Sequence, residues 1–71
     1  MIKPDYELVH EITETYCRKT GLTFEEIVPL VYTSINTTLL RGESETREQL
    51  IENTNISMAR VLKSLRIDFK A

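Results

Sequence analysis

The chain has 71 residues and a net charge of −2, with 41% apolar and 28% charged residues. That is the balance of one folded domain, too apolar for a disordered segment and too short for a second core. It excludes a uniformly basic nucleic-acid coat, and Cys17, standing alone, excludes an internal disulfide.

A core this small is marginal, so a homodimer or a partner-bound state is expected. No apolar run approaches the roughly 18 residues of a membrane span. The start lacks the apolar stretch of a signal peptide. With its lone thiol, the protein is read as cytoplasmic, with no membrane partner.

A first helix is predicted from Pro4 or Asp5, which supply a first-turn proline or a side-chain cap. Val9, Ile12, Tyr16 and Cys17 recur on one face, while Glu7, Glu11 and Glu14 line the other. Gly21 marks the stop. The second helix has the clearest start in the chain. In "LTFEEI" Thr23 and Glu26 form a capping box, with Leu22 and Ile27 as the flanking staple.

Ile27, Val31, Ile35 and Leu39 then make a row, with Val28, Leu30 and Leu40 beside it, until Gly42 ends the helix. Pro29 lies inside and predicts a static bend. The polar, β-branched run "TSINTT" weakens the pattern over 33–38 without forming a better strand. A third start falls at Ser44 or Thr46, where "TREQ" repeats the capping-box pattern. The fold class is therefore all-α, a small bundle of three to four helices across residues 1–71.

The number of helices turns on "EQLIENTNISMARVLKSLRID". Gln49–Thr54 could be one short helix, Asn55 a turn residue tolerant of positive φ, and Ser57 the cap of a second. Val61, Leu62 and Leu65 would anchor that second helix. Alternatively, Ile51, Thr54, Met58, Val61 and Leu65 are the stripe of one continuous helix.

Through Leu50, Asn55, Ile56, Ser57, Val61 and Leu65 the stretch resembles the helix-turn-helix of small bacterial and phage regulators. It departs at Ile51, where alanine is preferred, and at Asn55, where glycine is usual. The resemblance implies a regulator of transcription or replication that binds double-stranded DNA. Ser57 and Met58 would then lie nearest the bases, with Arg60 and Lys63 on phosphates and Arg66 supporting them. Arg60, Lys63, Arg66 and Lys70 against Asp68 also make the end of the chain locally basic.

Upstream, Ile12, Tyr16, Glu26, Ile27, Leu30, Val31 and Leu39 resemble the N-terminal helical region of the MucR/Ros transcriptional regulators. That likeness implies self-association. The zinc finger of that family has no counterpart, because His10 and Cys17 are the chain's only His and Cys.

Catalytic and metal chemistry are not expected. His10 and Cys17 are two helical turns apart, there is no glycine-rich phosphate loop, and the carboxylates lie on helix surfaces. No enzyme activity, cofactor or metal is assigned. A second functional class stays open: a helical protein-interaction module, adaptor or inhibitor, with no nucleic-acid binding.

Overall fold

The computed structural model describes residues 4–68. Each helix in it begins at a side-chain cap. Asp5 accepts the amide of Leu8 at 2.7 Å and opens α1, Tyr6–Thr20. Thr23 and Glu26 exchange side-chain and backbone bonds to open α2, Phe24–Arg41, and Thr46 and Gln49 do the same for α3, Arg47–Ser64. Gly21 and Gly42, at φ 77° and 67°, close α1 and α2 in the left-handed region that glycine enters without steric penalty. The all-α expectation holds, with three helices.

α2 is the central element and packs against both α1 and α3. Its core row is Ile27, Val31 and Ile35, facing Leu8, Val9, Ile12 and Tyr16 from α1 and Leu50, Met58 and Leu62 from α3. Small polar residues complete the interfaces, since Thr13, Ser34, Thr38 and Thr54 are all buried. Short side chains let the helix axes approach closely. The cost is three hydroxyls, of Thr13, Ser34 and Thr54, that find no hydrogen-bond partner.

The run "TSINTT" stays helical, held by the burial of Ser34, Ile35 and Thr38, and two of its hydroxyls turn back on their own helix. Thr37 donates to the Thr33 carbonyl at 2.9 Å and Thr38 to that of Ser34 at 2.8 Å. α2 also continues past Pro29, which is exposed. Its ring points outward, where the missing N–H costs a hydrogen bond but no packing.

One expectation about α2 is corrected, and one of the two readings left open for α3 is decided. Leu40 does not extend the buried face of α2; it is 89% exposed. At 100° per residue it falls almost opposite the stripe of Ile27, Val31, Ser34, Ile35 and Thr38. And residues 48–64 do not form two helices with a turn at Asn55. α3 runs unbroken from Arg47 to Ser64, with Asn55 inside it. The reason is the spacing of Leu50, Thr54, Met58 and Leu62, four residues apart and all fully buried. A bend at Asn55 would swing Met58 and Leu62 off α2 and expose two large side chains, far more costly than a few residues of mediocre helix propensity.

The true end of α3 is a Schellman arrangement. The Ile67 amide donates to the Leu62 carbonyl at 2.9 Å and the Arg66 amide to that of Lys63 at 3.1 Å, while Ile67 folds back on the core. Arg66 occupies the position usual for glycine, with φ 59°, at a steric cost of roughly 1 kcal/mol.

Two substitutions check this account by urea denaturation. Asn55→Gly should lower the unfolding free energy by roughly 1 kcal/mol, through helix propensity and a lost hydrogen bond. A turn at this position would instead tolerate or welcome glycine. Thr54→Val keeps the shape and removes an unpartnered hydroxyl, so it should stabilise by about 1 kcal/mol.

Candidate functional site

α1 and α3 both pack on α2, and residues of both line a groove of about 580 Å³. Tyr16 supplies one wall from α1; Ile51, Ile56 and Ala59 supply the floor and far wall from α3. Ile56 is 48% exposed here, although the sequence reading placed it as a plug beneath a turn. With no turn to fill, its side chain projects from the outer side of α3.

One polar link spans the groove. The Tyr16 hydroxyl donates to Asn55 Oδ1 at 3.0 Å, joining residues 39 positions apart. The Asn55 carbonyl lies farther from the same hydroxyl, at 3.4 Å. Asn55 therefore serves as an interhelix tether. Burial pushes the Tyr16 phenol above its ordinary value of 10.0. Lys19, one turn on, holds its ammonium 5.3 Å from the centre of the Tyr16 ring.

A second tether lies toward the start of α3. There Arg47 reaches Asp5 at 3.7 Å and Glu11 at 3.5 Å, an exposed arrangement worth little in energy. The rim carboxylates Glu48 and Glu52 line the groove and make no ion pair among the described residues.

The five residues assigned to nucleic-acid contact do not share one surface. Met58 is fully buried in the core, so it cannot approach a base. Ser57 is half-buried in mid-helix and caps nothing, because α3 starts eleven residues earlier at Thr46. Arg60, Lys63 and Arg66 are exposed, as expected for groups meeting phosphates. Lys70, part of the basic end, lies outside the described residues.

The sequence reading missed Arg41, which lines a hollow with Arg60 across the α2–α3 boundary. Its only signal was a position in the last turn of α2, and that is explained equally well by the helix dipole.

His10 and Cys17, the residues weighed for catalytic or metal chemistry, both lie on α1. His10 lies between the rings of Tyr6, 5.8 Å away, and Phe24, 5.3 Å away, and 3.5 Å from Glu14. Burial, then the Glu14 charge, raises the Cys17 thiol, the opposite of an activated nucleophile. Among the described residues no three His, Cys, Asp or Glu come together as metal ligands, and no helix is long and apolar enough to cross a membrane. No family model, curated protein or solved structure matches the chain.

The raised Tyr16 value has a definite pH signature. The folded state favours the neutral phenol, so this contribution is complete below pH 10.0 and is lost as pH climbs toward the higher folded value. Urea midpoints measured from pH 8 to 11 should fall at the alkaline end, and Tyr16→Phe should flatten that fall.

Proposed function

We propose that this protein is a helical protein-interaction module whose α1–α3 groove receives an amphipathic helix from a partner. The observation that carries this reading is the groove itself, with an apolar floor of Ile51, Ile56 and Ala59, of which Ile56 is 48% exposed. A helix laid between two helices buries such a floor with anchors three or four residues apart.

The rim indicates the partner's charge. Lys19 is engaged with the Tyr16 ring, whereas Glu48 and Glu52 stand beside the floor unpaired. A partner helix with leucine-like anchors and lysine or arginine on its flank satisfies both features. An acidic helix would add repulsion at the same rim.

Double-stranded DNA binding by a base-reading helix has less support. It requires a free helix start near Ser57 and an exposed Met58, and α3 offers neither.

A designed peptide of about 15 residues, with leucines at helical spacing and lysines on one flank, is the probe. Titrated into labelled protein and followed by amide NMR shifts, it should move Ile51, Asn55, Ile56 and Ala59 first. The same peptide with glutamates in place of lysines should bind at least tenfold more weakly, and Ile51→Asp should abolish the response. Shifts centred elsewhere, or none at 1:10 excess, would count against the groove. If dilution of the protein alone moves the same amides, with a matching dimer in sedimentation, the occupant is a second copy.

A further inference from the structure

Four exposed cations, Arg41 at the end of α2 and Arg60, Lys63 and Arg66 toward the end of α3, form a band whose hollows share only Ile56 and Ala59 with the groove. Arg41 and Arg60 line the same two hollows where α2 meets α3, of about 150 and 440 Å³. Lys63 follows Arg60 by one helical turn, about 4.5 Å along the axis. Arg66 then shares a third hollow with Lys63. Ser57 and Ser64 lie among them as hydroxyl donors. None of the four cations makes an ion pair among the described residues. Two carboxylates, Glu43 and Asp68, stand at the ends of the band without pairing.

A second observation is independent of charge. Arg66 holds the left-handed position that closes α3, where glycine would be unstrained. An arginine kept in a sterically costly conformation points to a use for its side chain.

We infer that Arg41, Arg60, Lys63 and Arg66 form a phosphate-binding band that holds the backbone of a nucleic acid without reading its sequence. A row of cations about one helical turn apart suits a polyanion, since a single phosphate would engage only one arginine pair. Leu30 and Val61, which line the band, are partly buried, while Leu65 and Ile56 are 54% and 48% exposed. These two line different hollows, so they do not make the contiguous apolar face that a membrane surface takes up. The net charge of −2 opposes approach from a distance. Salt confines that opposition to about 10 Å at 0.1 M.

The test uses the full chain and a fluorescent mixed-sequence duplex of about 20 base pairs, read by anisotropy at several salt concentrations. At low salt, binding is expected with Kd on the order of 10–100 μM, the same for a scrambled duplex, and with a log–log salt slope of about −3 to −4.

Arg41→Ala with Arg60→Ala should weaken binding at least tenfold and reduce the slope by about two. Arg66→Gly separates function from structure: it should raise the urea midpoint while weakening binding several-fold. The inference is overturned if no duplex binds more tightly than 1 mM, or if the double variant leaves affinity and slope unchanged. It is also overturned if phosphatidylserine vesicles, or an acidic peptide, bind more tightly than DNA through the same arginines.

Discussion

Leu50, Thr54, Met58 and Leu62 hold α3 in one piece, and the surfaces of the molecule follow from that. A strict four-residue step keeps these side chains on a single line against α2. With the line intact, Asn55 has to lie within a helix, Met58 has to lie inside, and Ile56 has to face outward. The groove beside α1 and the cationic band adjoin along the same unbroken rod, meeting at Ile56 and Ala59.

Much of the architecture is written locally. The Thr23–Glu26 and Thr46–Gln49 boxes and the two glycine stops lie within a few residues of what they control, so the starts of the helices and the ends of α1 and α2 could be read directly, whereas the course and end of α3 could not. Facing is a different matter. Ile51, Thr54, Met58, Val61 and Leu65 make a plausible stripe in sequence. The structure rotates the choice to Leu50, Thr54, Met58 and Leu62, the four residues of α3 that are fully buried. Which of two overlapping stripes wins depends on the neighbour, and a helix's own sequence does not contain its neighbour.

The candidate sites were legible in proportion to their locality. Arg60, Lys63 and Arg66 stand near one another in the chain and could be named together. Arg41 lies nineteen residues upstream of Arg60 and joins them only after α2 and α3 have packed. Asn55 was conspicuous as a poor helix former, and positive φ was the natural explanation. Its actual service to Tyr16 is a contact across 39 residues that no periodicity marks. The buried hydroxyls of Thr13, Ser34 and Thr54 are a further feature that favours close helix approach over polar satisfaction.

The Tyr16–Asn55 bond also crosses the very cleft a partner would enter. A guest lying between α1 and α3 either leaves this bond in place or forces it apart. In the second case the phenol passes from a sheltered setting to a wetter one as the guest settles, so that occupancy of the cleft would be written in the ultraviolet spectrum of a single tyrosine.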